Sequence, residues 1–224
     1  MKFVLFDIDG TLVATGGAGK AALEIALAEE FGIKLRTGTV QYSGRTDRAI
    51  IRDLLGLHGL EESLDNLQRL LAAYLRHLPL SLATHRGQVL PGIDSLVRQL
   101  HDRHDITLGL LTGNVREGAR LKLGHYGLFD FFPIGGFGDQ HYERDDVARE
   151  ALSLVSQRHG APVDATCIWV VGDTPLDVQC ARVIGARVVA VATGWHAWDE
   201  LQAARPDLLM TDFADPAPFL DLLR

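Results

Sequence analysis

Four short, largely apolar runs punctuate the chain, at residues 3–6, 106–111, 167–171 and 188–192. They are rich in branched and aromatic side chains. Continuous rather than alternating apolar character is what strands buried on both faces require, as in a parallel sheet. Helical spacing follows three of them, over 117–125, 175–184 and 199–204, and a further helix is predicted over 145–159. Residues 132–137 can supply one more strand. Strand alternating with helix predicts an α/β fold, a doubly wound, mostly parallel, Rossmann-like sheet.

One stretch breaks that rhythm. Between residues 16 and 83 only helical patterns occur, over 18–31, 47–57 and 61–80. Gly16, Gly17 and Gly19 give a flexible entry, and Leu90-Pro91-Gly92 marks the return to the α/β pattern. The segment 16–83 reads as a small helical cap inserted after the first strand, with 1–15 and 84–224 forming the catalytic core. The alternative is that these helices pack on the sheet as ordinary layers.

Composition narrows the function. The chain has 224 residues, 47% of them hydrophobic, which is ample for a buried core. A formal net charge of −7 argues against a nucleic-acid partner, because phosphate backbones call for a clustered basic surface. Small phosphates stay open to it, since a metal or a few donors can reverse the field within one cleft. The two cysteines, Cys167 and Cys180, match neither a zinc site nor a redox pair. The N-terminal apolar run is too short for a secretory signal or a membrane span. Cytoplasmic residence, with no membrane partner, is the resulting expectation.

In an open parallel sheet, ligands gather at the carboxyl ends of the strands, and polar residues stand at three of these ends. The first is Asp7-Ile8-Asp9-Gly10-Thr11, where extended backbone would set Asp7 and Asp9 on one face. Two such carboxylates repel unless a cation or a shared proton intervenes. The second is Thr112-Gly113-Asn114 ahead of a helix, offering a hydroxyl and exposed N–H groups to an anion. Asn114 as a plain helix N-cap is the alternative reading. The third is Gly172-Asp173-Thr174-Pro175-Leu176-Asp177. Thr174, Pro175 and Asp177 make a sound helix start. They leave Asp173 as a ligand for a hard cation, and a small set of oxygen ligands suits Mg²⁺.

Asp7-Ile8-Asp9-Gly10-Thr11-Leu12, Leu111-Thr112-Gly113-Asn114 and Gly172-Asp173-Thr174-Pro175-Leu176-Asp177 resemble the first, second and fourth motifs of the haloacid dehalogenase-like hydrolase superfamily. They stand in the right order and span nearly the whole chain. The helical insert resembles the cap of the phosphoglycolate phosphatase-like subgroup, and Ser43-Gly44-Arg45-Thr46-Asp47 resembles its segment facing the active site.

The resemblance implies a Mg²⁺-dependent phosphatase acting on a small phosphorylated metabolite, phosphoglycolate-like or a sugar phosphate, through an aspartyl-phosphate. Asp7 would be the nucleophile and Asp9 the general acid and base. Asp7, Asp173 and the backbone carbonyl of Asp9 would be metal ligands, with Asp177 behind them. Thr112, Gly113 and Asn114 would hold the phosphoryl oxygens.

The superfamily's third-motif lysine is missing from His141-Tyr142-Glu143-Arg144-Asp145-Asp146. Arg144 is the candidate cation for Asp7 and phosphate, and Lys122 is its competitor, unless Lys122 is an ordinary surface lysine. In the cap, Arg45 is the residue expected to meet substrate. A phosphomutase of the same superfamily is the nearest rival, and a non-catalytic phospho-ligand-binding protein a more distant one. Oligomeric state is not legible in the motifs.

Overall fold

Strand β1 (Lys2–Phe6) places Val4 and Phe6 in one apolar cluster and Phe3 and Leu5 in another, as a period of two requires when both faces are covered. The structure, a computed structural model, describes residues 1–36 and 38–224. After β1 come β2 (Val13–Ala14) and three helices, α1 (Ala18–Phe31), α2 (Asp47–His58) and α3 (Leu64–Thr84). Next are β3 (Gln88–Val89), α4 (Ile93–His101), β4 (Ile106–Leu111), α5 (Arg116–His125) and β5 (Ile134–Gly136). The chain continues through α6 (Arg144–His159), β6 (Ile168–Gly172), α7 (Pro175–Val183) and β7 (Arg187–Val191). It ends with α8 (Trp198–Ala203), β8 (Leu208–Met210) and α9 (Ala217–Leu222).

Six strands form one parallel sheet in the order β5-β4-β1-β6-β7-β8. Helices α4, α5 and α9 cover one face and α6, α7 and α8 the other, so the expected doubly wound α/β class is observed. The chain moves outward from β1 through β4 to β5, then restarts on the far side of β1 with β6. That reversal opens a crevice at the carboxyl ends of β4, β1 and β6, the three strands whose ends carry the acid and hydroxyl motifs.

Helices α1, α2 and α3 enclose an apolar cluster of their own, including Leu27, Ile51, Leu55, Leu70 and Leu78. Both of the insert's connections lie in one antiparallel ribbon, with Val13 opposite Val89 and Ala14 opposite Gln88. Two-residue strands are too short to show in a periodicity. Helix α3 runs past Pro79 to Thr84, beyond the expected end at 80, because Leu78 and Leu82 on either side of the proline are anchored in the insert's core. Among the described residues no helix is long and apolar enough to cross a membrane.

Candidate active site

Asp7 follows β1 directly, and its N–H donates to the Val171 carbonyl at 2.9 Å, which extends the β1–β6 pairing by one residue. Its side chain is thereby fixed at the sheet's edge and is buried. Asp173 stands just beyond β6, and Asp177 lies in the first turn of α7. Asp7, Asp173 and Asp177 each bring a carboxylate oxygen within 4.8 Å of the other two, the single such buried cluster among the described residues.

Asp177 is held firmly. Its Oδ2 accepts from the Thr174 N–H at 3.0 Å and hydroxyl at 2.8 Å, while the Asp177 N–H donates back to Thr174 Oγ1 at 3.2 Å. This is the capping box expected from the Thr174–Asp177 spacing. Asp177 Oδ1 accepts from Arg144 Nη2. Asp173 Oδ1 accepts from the Thr11 hydroxyl at 3.1 Å.

Arg144 opens α6 beneath this cluster. Nη1 donates to Asp7 Oδ1 at 3.3 Å, and Nη2 donates to the Leu111 carbonyl at 3.3 Å as well as to Asp177. The planar guanidinium spans three acceptors on three elements, which a lysine's point charge would not do. Burial opposes its charge, yet Asp7 and Asp177 outweigh that and hold Arg144 above the usual arginine range.

Three buried acids face one buried arginine, so negative charge is left over. Burial pushes the Asp7 carboxyl up, with Arg144 opposing and the Asp177 charge adding to the rise. Asp173 is likewise raised well above the usual carboxylate range, by burial and then by Asp177 and Asp7. A hard cation would relieve this excess, and carboxylate oxygens are its natural ligands. The backbone leaves room around the acid. Gly10 turns with φ of +83°, and a Cβ on it or on Gly194 would overlap the Asp173 carboxylate. The donor set therefore fits a hard divalent cation.

Asp9 lies outside that cluster, so the third acid beside Asp7 and Asp173 is Asp177 rather than the Asp9 carboxylate. Asp9 Oδ2 accepts from Lys122 Nζ at 2.5 Å and from Asn114 Nδ2 at 3.0 Å. Asn114 Nδ2 also donates to Thr112 Oγ1 at 2.9 Å, and the Asn114 N–H donates to the same hydroxyl at 3.3 Å. Thr112 is fully buried beside Asp7. Thr112 and Asn114 thus connect the surroundings of Asp7 and Asp9.

Asn114 does not cap α5. Val115 is the N-cap residue and its own side chain makes no capping bond; Asp47 Oδ2 accepts from the Val115 N–H at 2.8 Å, and Asp139 Oδ2 accepts from the Arg116 N–H at 2.9 Å. The Asp47 N–H donates to the Gly113 carbonyl at 2.8 Å. A Cβ on Gly113 would overlap the Arg45 carbonyl, so residues 45–47 sit directly on the Thr112–Asn114 loop. The Arg45 guanidinium is engaged within the insert, where it pairs with Asp53 of α2.

A model described as haloacid dehalogenase-like hydrolase matches residues 4–191. The chain belongs to that family. It is 31% identical over 219 residues to a phosphoglycolate phosphatase from Synechococcus elongatus, covering 96% of this chain and 95% of that protein. It is 29% identical to the probable phosphatase IndB of Dickeya dadantii, covering 95% and 90%. CbbY from Rhodobacter sphaeroides, solved with phosphate, shares the fold at a TM-score of 0.78 and 20% identity, over 96% of each chain.

For a haloacid dehalogenase-like hydrolase, two features of this site escaped the motifs. Lys122 is not a surface lysine. It is buried, and it reaches Asp9 rather than Asp7, so it does not compete with Arg144 for the same place. A signal was present: Ala119, Lys122 and Leu123 fall on the buried stripe of α5. Asp47 was read only as the end of a segment. Its partner Val115 lies 68 residues away, beyond the reach of any local pattern.

Proposed function

We propose that this hydrolase is a Mg²⁺-dependent phosphatase that transfers the phosphoryl group of a small phosphorylated metabolite to Asp7 and then to water. The observation that carries the reading is the surroundings of Asp7, a buried carboxylate beside Arg144, Thr112 and two further acids, with Asp9 close by. Asp7 and Asp173, with the backbone carbonyl of Asp9, would hold Mg²⁺, whose charge lets an anionic ester approach an anionic nucleophile. Asp177 secures Arg144 from behind.

Asp7 forms a bond to phosphorus as the ester P–O bond breaks, and Asp9 hands a proton to the departing alkoxide. Asp9 then takes a proton from the water that attacks the aspartyl-phosphate, which frees inorganic phosphate and restores Asp7. The Thr112 hydroxyl and the N–H groups of Gly113 and Asn114 grip the phosphoryl oxygens. The helical insert, residues 16–83, acts as the cap, and Arg45 on its core-facing loop meets an anionic group on the substrate. A phosphoglycolate-like ligand, bearing a carboxylate, fits such a cation. The cytoplasm is the proposed location, in keeping with two unpaired cysteines.

The test is phosphate release from p-nitrophenyl phosphate and phosphoglycolate. Activity should require Mg²⁺, vanish with a chelator and vanish in Asp7→Asn. Turnover without added metal, activity surviving in Asp7→Asn, or interconversion of sugar phosphates without free phosphate would each overturn it.

A further inference from the structure

Lys122 is the buried cation that the reaction scheme leaves without a task. It sits in α5, and helical side chains lean toward their own N-terminus, which here is the Thr112–Asn114 loop. Its Nζ lies 2.5 Å from Asp9 Oδ2 and 2.6 Å from Asn114 Oδ1. Asn114 closes the triangle, because its Nδ2 donates to the same Asp9 oxygen at 3.0 Å. Two donors therefore converge on one oxygen of a carboxylate whose side chain is 40% exposed, while that of Lys122 is only 6% exposed.

The insert forms the other wall. A Cβ on Gly19 of α1 would lie 3.4 Å from Lys122 Nζ and 3.9 Å from the Tyr74 hydroxyl of α3. The amine therefore lies between Asp9 and the two helices α1 and α3. Burial works against the Lys122 charge, but Asp9, Tyr74 and Asp47 together outweigh it.

We infer that Lys122 is a positioning residue, which with Asn114 grips Oδ2 of Asp9 so that Oδ1 is presented to the leaving-group oxygen. This rests on Asp9 being the acid of the proposed phosphatase. A free aspartate side chain samples several rotamers, and a proton donor is effective only when held within hydrogen-bond reach of the atom it serves. Fixing one oxygen leaves the carboxylate a single orientation.

The test compares alkyl and aryl esters. The departing alkoxide of phosphoglycolate or glycerol 2-phosphate needs the proton from Asp9, whereas p-nitrophenolate leaves without one. Because kcat/KM covers only the steps up to transfer onto Asp7, the later attack of water does not enter the comparison. In Lys122→Met, kcat/KM for the alkyl esters should fall at least about tenfold further than for p-nitrophenyl phosphate, a part of the usual general-acid contribution. KM for p-nitrophenyl phosphate should stay within about twofold, as expected when binding is untouched. Lys122→Gln, which keeps a donor at similar reach, should recover part of the alkyl-to-aryl ratio and covers the case in which the methionine variant does not fold. Equal losses on both ester types, no loss, or a glutamine variant no better than methionine would overturn the role of Lys122. Failure of the wild type to release phosphate from either ester class would instead overturn the phosphatase reading beneath it.

Discussion

Asp47 of the helical insert and Val115 of the core are joined by a 2.8 Å hydrogen bond from the Val115 N–H to the Asp47 carboxylate. Burial pushes the Asp47 carboxyl up to about 6, against the pull of Lys122 and the Val115 N–H. The folded state therefore holds this proton more tightly than the unfolded chain, where an aspartate titrates near 4. The stabilising contribution is complete below about pH 4 and is lost as the pH climbs through about 6. Asp47→Asn keeps an acceptor for Val115 but cannot titrate. Urea unfolding from about pH 4 to 7.5 should show the variant gaining on wild type by on the order of 2 kcal/mol as pH rises. Parallel profiles would mean that Asp47 does not titrate from a buried position.

Arg144 is the only cation bound directly to the acid cluster among the described residues. Arg144→Met would leave buried carboxylates uncompensated, which costs about 3–5 kcal/mol when one partner of a buried pair is removed. Arg144→Lys restores the charge but cannot span Asp7, Leu111 and Asp177 at once. Thermal melts and phosphate release should therefore rank wild type above lysine above methionine, with methionine losing about a hundredfold or more in kcat. A lysine variant equal to wild type would show that the fork geometry is dispensable.

The sheet and the acidic strand ends were legible because their causes are local. An apolar run bounded by Gly, Asp and Thr announces a buried strand and its end, and the Thr174–Asp177 spacing announces a capping box. What escaped was set by contacts between distant segments. Asn114 has every local property of an N-cap, yet Val115 stands at that position, with its N–H bonded to Asp47, and Asn114 turns to Asp9 and Lys122. Strands β2, β3 and β8 are too short for a period of two to register. Helix α4 is absent from the sequence reading although its signal is local, since Ile93, Leu96, Val97 and Leu100 form a regular buried stripe.

Gly194 lies against Asp173 so closely that a methyl group would overlap the carboxylate. Gly194→Ala should displace Asp173 by a fraction of an ångström or more, and misplacement of that order costs roughly tenfold to a hundredfold in rate. The Mg²⁺ concentration for half-maximal activity should rise in parallel. Gly124→Ala is the control, because nothing lies within 4 Å of its added methyl and it falls within α5. It should keep full activity and gain as much as about 1 kcal/mol of stability from helix propensity. An unchanged metal requirement in Gly194→Ala would remove Asp173 from the metal site.

Arg45 and Asp53 form an ion pair whose side chains are 23% and 33% exposed, so on the proposed reading a substrate anion would compete with Asp53 for the guanidinium. The competition gives the two substitutions opposite signs. Arg45→Ala removes the cation and should raise KM for phosphoglycolate about tenfold, the worth of one charge-assisted hydrogen bond. Asp53→Asn leaves the cation without its internal partner and should lower that KM. Neither change should move KM for p-nitrophenyl phosphate, which carries no second anion, by more than about twofold. If both variants weaken both substrates alike, the pair merely holds α2 in shape and Arg45 takes no part in choosing the substrate.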